Sequence, residues 1–175
     1  MQLEIIEQCK AGVRSAQFEL YRQYSKGMFN VCLRIVHDPT DAEDVLQVAF
    51  AEVFSKLDTF RGESTVGAWI KRIVVNHCIN FVKKKRLQWV EVDDVLLNRP
   101  LEDEEPIDHS LHIARINRAI MLLPDGYRII FSLYLLEGYD HEEIAEILSI
   151  SESTSKSQYS RAKARLRTIL NQEKQ

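Results

Sequence analysis

The sequence predicts an all-α protein of two small helical domains joined by a flexible acidic linker. Three observations predict it. No run alternates apolar and polar residues between turn signals, so no strand is expected. Apolar residues recur at helical spacing through residues 2–86 and again after 109. Between these stretches, residues 91–108 carry eight acidic side chains, one basic one, Pro100 and Pro106, a composition suited to a tether rather than a packed element. The expected boundaries are a first domain over 1–86, a linker over 87–108 and a second domain over 109–175. A chain of 175 residues accommodates two such domains.

Residues 2–36 read as two helices broken near Gly12, with Phe18, Leu20, Tyr21, Tyr24 and Met28 on the apolar face. His37-Asp38-Pro39 ends this block. Thr40 or Asp41 is expected to cap the next helix, with Glu43 and Asp44 in its first turn, where the helix dipole favours acids. That helix runs to about Leu57 and turns Val45, Leu46, Ala49, Phe50, Val53 and Phe54 inward. A polar loop follows over 58–64, around Gly62. A long helix spans Thr65 to about Arg86, its inner face built from Val66, Trp69, Ile70, Ile73 and Val74. The spacing of Trp69 with Ile73 favours a core role over base stacking.

Beyond the linker, a helix is expected from about His109 to Leu123. Pro124 and Asp125 open another, which Gly138 stops. Residues 141–148 form a short amphipathic helix, Ser149-Ile150-Ser151 a tight turn, and Glu152 to Leu170 a further helix. The last two fit a helix-turn-helix packed through Ile144, Ala145, Ile147, Leu148 and Ile150. Its second helix carries Lys156, Arg161, Lys163, Arg165 and Arg167, and this arrangement suits entry into a DNA major groove.

Composition narrows the class further. An apolar content of 45% is ordinary for a globular chain and argues against bulk disorder. No window reaches eighteen apolar residues, and no basic-then-apolar signal opens the chain, so a soluble, cytoplasmic protein is expected. Cys9, Cys32 and Cys78 are widely spaced without a C-x-x-C pair and read as reduced, half-buried thiols. The net charge of −3 conceals basic stretches at 61–86 (+6) and 152–168 (+4) on either side of the acidic one (−7). Local fields of this kind, not the total, decide whether nucleic acid is a partner.

Within the helix 65–86, Arg72, Asn76, Asn80 and Lys83-Lys84 recur at steps of three and four and share a face. Asn amides both donate and accept, so they can read base edges, and the cations can hold phosphates. Charge alone leaves a solvated basic face equally open. No catalytic, metal or cofactor constellation emerges. His109 and His112 lack further ligands at zinc spacing. Asp38, Asp41, Glu43 and Asp44 lack the spacing of a calcium loop, and no Gly-rich phosphate loop is present. No cofactor and no enzymatic activity are expected.

Three stretches stand out together: Asp41-Ala42-Glu43-Asp44-Val45-Leu46-Gln47; Trp69-Ile70-Lys71-Arg72-Ile73 with Asn76 and Asn80; and Glu142 to Leu148 followed by Thr154, Lys156, Ser157 and Arg161-Ala162-Lys163-Ala164-Arg165-Leu166. In this order they resemble the extracytoplasmic-function sigma factors, small members of the sigma-70 superfamily that directs bacterial RNA polymerase to promoters. The resemblance implies that the first domain is sigma region 2 and the second, with its helix-turn-helix, sigma region 4. It implies that Asp41, Asp44, Gln47 and Glu52 dock on a coiled coil of the polymerase's largest subunit, with the polymerase flap a further partner. It implies that Arg61, Ser64, Lys71, Arg72, Asn76, Asn80, Lys83 and Lys84 engage the promoter −10 element. His141, Ser153, Thr154, Lys156, Ser157, Ser160, Arg161, Lys163 and Arg165 would meet the −35 element. An anti-sigma factor is a partner many members have.

The sequence departs from the family pattern at Val48, usually acidic; at Val75, commonly Arg; at Ser155, usually a packed Val; and at Gln158-Tyr159-Ser160, usually more basic. A stand-alone helix-turn-helix regulator is the alternative reading. It would need neither the helix 41–57 nor the basic helix 65–86.

Overall fold

The chain alternates helix with short turn, and local signals explain most of the boundaries. In the computed structural model, which describes residues 2–87 and 113–172, the helices are α1 (Gln2–Lys10), α2 (Arg14–Val36), α3 (Pro39–Ser55), α4 (Val66–Leu87), α5 (Ile113–Met121), α6 (Asp125–Phe131), α7 (His141–Leu148) and α8 (Glu152–Gln172). A 3₁₀ turn, Leu57–Thr59, follows α3, and a π-helical turn, Ser132–Leu136, extends α6. The described residues contain no strand. The acidic tether expected over 87–108, together with His109 and His112, lies outside the described residues apart from Leu87.

The chain divides into two compact units, the first ending at Leu87. In the first, α2 packs on α1, α3 and α4, and α3 packs on α4. Leu20, Cys32, Ile35, Ala49, Phe50, Val53, Ile70, Val74, Val75 and Cys78 are buried. Burying each large aliphatic side chain contributes about 1.5–3 kcal/mol, so this packing outweighs the weak propensity of the β-branched run Ile73-Val74-Val75 within α4. The first turn of α4 lies close to α2: a Cβ on Gly67 would stand 3.0 Å from the Tyr24 ring.

Two expectations are corrected here. Phe18 is 67% exposed rather than part of the apolar face. The buried stripe of α2 runs through Ala16 and Leu20, and a residue midway between them points about 200° away. The cap of α3 is Asp38, not Thr40 or Asp41: its carboxylate accepts from the Asp41 N–H at 2.9 Å. Pro39 then occupies the first helical turn, where its missing N–H costs nothing.

In the second unit, α8 packs on α5, α6 and α7. Ala119, Ile120, Leu123, Tyr127, Phe131, Ala162, Leu166, Ile169 and Leu170 form its core. Arg128 is buried but satisfied. It donates to the Leu123 carbonyl at 3.1 Å and pairs with Asp125 at 2.7 Å, as a desolvated guanidinium must.

Candidate nucleic-acid and polymerase interfaces

α4 is set up from its N-terminus. Thr65 Oγ1 accepts from the Ala68 N–H at 3.2 Å, so the helix starts where a hydroxyl replaces a missing backbone partner. Arg61 and Ser64 lie exposed in the loop before it, which bends at Gly62 with φ +76°. Along α4, Arg72, Asn76, Asn80 and Lys84 are exposed, and Lys71 and Lys83 are half-buried. The inner side holds Val66, Ile70, Val74, Val75, Cys78 and Ile79. Val75, Cys78 and Ile79 extend the core beyond the residues expected from spacing, and Val75 takes up a position where the resemblance leads one to expect a cation. Trp69 is half-buried, its ring 5.4 Å from that of Phe60, consistent with packing.

α3 presents Asp44, Gln47 and Val48 to solvent, whereas Asp41 and Glu52 are half-buried. Both acids have partners. Lys85 donates to Asp41 at 2.7 Å, and Glu52 takes Lys56 at 2.6 Å and His77 Nε2 at 2.5 Å. The hydrogen bonds from Lys56 and His77 hold the Glu52 carboxyl below the usual carboxylate range, with their charges adding to the effect. Sequence spacing gives no sign of His77, because the contact spans twenty-five residues.

The helix-turn-helix is capped at both helix starts. Asp140 and Glu143 form a capping box at α7: Asp140 accepts from the Glu143 N–H at 2.8 Å, and Glu143 accepts from the Asp140 N–H at 2.9 Å. Ser149 closes α7 in the left-handed region, φ +60°. Ser151 then accepts from the Thr154 N–H at 3.0 Å and shares hydrogen bonds with the Ser153 and Thr154 hydroxyls at 2.9 and 2.7 Å. The hydroxyl-rich first turn of α8 is thus already internally bonded.

Along α8, Ser153, Lys156, Ser157, Arg161 and Lys163 are exposed; Thr154, Ser160 and Arg165 are half-buried. Lys156 pairs with Glu152 at 2.7 Å, and that carboxylate pushes the ammonium pKa up, by hydrogen bond and then by charge. Lys163 lies 5.2 Å over the Tyr159 ring. His141 is half-buried: Ser155 Oγ is 2.9 Å from its Nδ1, and its ring stacks 4.3 Å from that of Tyr134. Tyr134 in turn lies 4.5 Å from Tyr159. Ser155 and Tyr159, two departures from the family pattern, therefore belong to one polar and aromatic cluster.

The three cysteines are buried and free, and burial pushes the Cys9 thiol up, away from reactive thiolate. Among the described residues, no group of three or more His, Cys, Asp or Glu side chains is placed to hold a metal.

Comparison with known proteins supplies the family. The model for sigma-70 region 2 matches residues 20–88, and the model for sigma-70 region 4 matches residues 113–166. The extracytoplasmic-function sigma factor SigM of Mycobacterium tuberculosis is 29% identical over 171 residues, covering 95% of this chain and 83% of that protein. SigM of Bacillus subtilis is 28% identical over 154 residues, covering 87% and 94%. Among solved structures, the sigma factor RpoE, in complex with the anti-sigma factor NepR from Bartonella quintana, has a TM-score of 0.57 at 22% identity, covering 87% of this chain and 95% of that one. CnrH, in complex with the cytosolic domain of CnrY, has a TM-score of 0.55 at 21% identity and covers 95% of both chains. Region 2 and region 4 stand here in order, on the two helical units described, and the chain belongs to the extracytoplasmic-function RNA polymerase sigma factors of the sigma-70 family.

Proposed function

We propose that this sigma factor, acting in transcription initiation, docks on core RNA polymerase through the exposed face of α3 and sets one unit on each promoter element. Residues 1–86 bind core enzyme and the −10 element, 87–108 act as the tether, and 109–175 bind the −35 element. The observation that carries this is the row Arg72, Asn76, Asn80 and Lys84. It stays exposed on a helix whose opposite side builds the core, within the stretch matched by region 2. Amides that read base edges and cations that hold phosphates are what an opening −10 segment requires. On α8, Ser157, Arg161 and Lys163 are the exposed readers, with the N-terminal end of the helix at the phosphates.

On α3, Asp44 and Gln47 lie beside exposed Val48, a polar face with one apolar contact point suited to a helix of the largest subunit's coiled coil. The polymerase flap is the counterpart of the second unit. The chain forms and breaks no bond itself; the polymerase does the chemistry, in the cytoplasm. Among the described residues no helix is long and apolar enough to cross a membrane. An anti-sigma factor is a further partner, a reading supported by RpoE and CnrH having been solved with NepR and CnrY.

Run-off transcription by purified chain with sigma-free core polymerase tests the proposal. Promoter-specific transcripts are expected. Duplex DNA binding with no transcript, and no association with core, would favour the stand-alone regulator.

A further inference from the structure

Two acids on α3 that the resemblance places among the polymerase contacts both face α4. Asp41, in the first turn of α3, accepts from Lys85 near the end of α4 at 2.7 Å. Glu52, near the end of α3, meets His77 in the middle of α4 at 2.5 Å. The two helices therefore run antiparallel along this seam. The pins are eleven residues apart on α3 and eight apart on α4, about 16 Å against about 12 Å of rise. The mismatch of about 4 Å is one that the long Lys85 side chain can span.

Each pin sits beside a promoter-facing residue. His77 follows Asn76, so it lies about 100° around the helix axis from it; holding His77 sets the direction in which Asn76 points. Lys85 follows Lys84 in the same way. Among the described side chains of α4, the fully buried ones end at Ile79: Phe81, Val82 and Lys83 are half-buried, and Asn80, Lys84 and Lys85 are exposed. Close packing thus orients the first half of the helix. In the half bearing Asn80, Lys83 and Lys84, looser packing is joined by the ion pair of Lys85 with Asp41.

We propose that Asp41 and Glu52 are positioning residues for the promoter-facing helix, acting through Lys85 and His77, and that polymerase docking on α3 falls to Asp44 and Gln47. The inference rests on the proposed promoter reading of α4. Docking and promoter geometry then meet on one rigid seam. Asp44 is one turn from Asp41, so a partner seated on the outer face of α3 bears on a helix whose inner face aligns α4.

A charge swap in the full-length protein separates a pin from a polymerase contact. Asp41→Lys and Lys85→Asp place like charges together. Each should lower permanganate reactivity of the −10 segment, per bound polymerase, by roughly two- to fivefold, the range that a partly exposed pair supports. Affinity for core enzyme should stay within about twofold. The double variant Asp41→Lys/Lys85→Asp should restore most of the reactivity. For the other pin, Glu52→Ala and His77→Ala should be non-additive in the same assay.

A loss of core affinity in Asp41→Lys that the swap does not repair overturns the proposal for Asp41, and additive Glu52 and His77 effects overturn it for Glu52. If the unaltered protein yields no promoter-specific transcript, the promoter reading itself fails. The pins are then judged by amide exchange over residues 80–86, which the single reversals should speed and the swap should slow again. Unchanged exchange in the single reversals removes the pins as well. Gentler Asp41→Asn, which drops the charge without reversing it, covers the case in which a reversal fails to fold and should show a smaller defect of the same kind.

Discussion

The Ser155 hydroxyl and the His141 ring share a hydrogen bond of 2.9 Å that joins the two helices of the helix-turn-helix from within. Ser155 is fully buried, so its hydroxyl is satisfied only by such a partner. Replacing it by Ala leaves Nδ1 of a half-buried imidazole unpaired. The expected cost is about 1–2 kcal/mol, localised to the second unit, with faster amide exchange in α7 and α8 and little change in α2–α4. Ser155→Val should show the same unpaired nitrogen, partly offset by apolar contact.

Asn76 and Lys84 should fail differently. Asn76→Ala removes an amide but no charge, so it should blunt discrimination among −10 variants by roughly 1–3 kcal/mol, the worth of one bidentate amide–base pair. Lys84→Ala should weaken all promoters alike and flatten the salt dependence by about one unit of slope or less. Permanganate footprinting over several −10 variants and salt concentrations reads both. Equal weakening of every variant by Asn76→Ala would leave α4 an electrostatic clamp without sequence preference.

Asp44→Arg with Gln47→Arg turns the exposed rim of α3 from acidic and polar to basic. Association with core polymerase should be abolished, because like charges across a docking face are strongly unfavourable. The protein should remain folded, since both side chains are exposed. Co-purification with core at the unaltered level would remove α3 as the docking element.

Stability should depend on Glu52 at acid pH. Its carboxyl is held low by Lys56 and His77, so the folded state prefers the charged form. That contribution is fully present above the unfolded carboxyl's value of about 4.3 and is lost as pH falls through the lower folded value. Thermal melts of Glu52→Gln should therefore lack part of the decline that the unaltered protein shows below about pH 4.3. Parallel acid limbs for the two proteins would remove this carboxylate from the pH response.

Much of this architecture is legible in the sequence because it is carried by local signals. Gly12, Pro39, Gly62, Pro124 and Gly138 punctuate the helices where steric rules require, and the helix-turn-helix, a weak signal by itself, becomes legible beside the two stretches of the first domain. Phe18 shows where composition misleads: a large apolar residue is expected inward, but phase along α2, not size, decides its direction. The cap at Asp38 is obscured by Pro39, which ends one helix and can equally begin another. The partners of Asp41 and Glu52 are not legible, because Lys85 and His77 are brought to them only by folding. Tyr134 is of the same kind. Its place beside His141 depends on a backbone feature that no spacing rule anticipates.

That feature is the wide turn at Ser132–Leu136, where the Glu137 N–H donates to the Ser132 carbonyl at 3.0 Å, five residues back. Such a turn holds one residue more than an ordinary helix would, so everything after it is out of phase by about 100°. Period counts made across it come out wrong, and side chains that would have lined up end on different sides. Tyr134 falls against His141, while Leu135 and Leu136 stay exposed. A relative one residue shorter at this point could keep an unbroken helix and the same fold, yet it would bring a different side chain to the cluster. Between such proteins the alignment gap belongs inside a helix, not in the loops on either side.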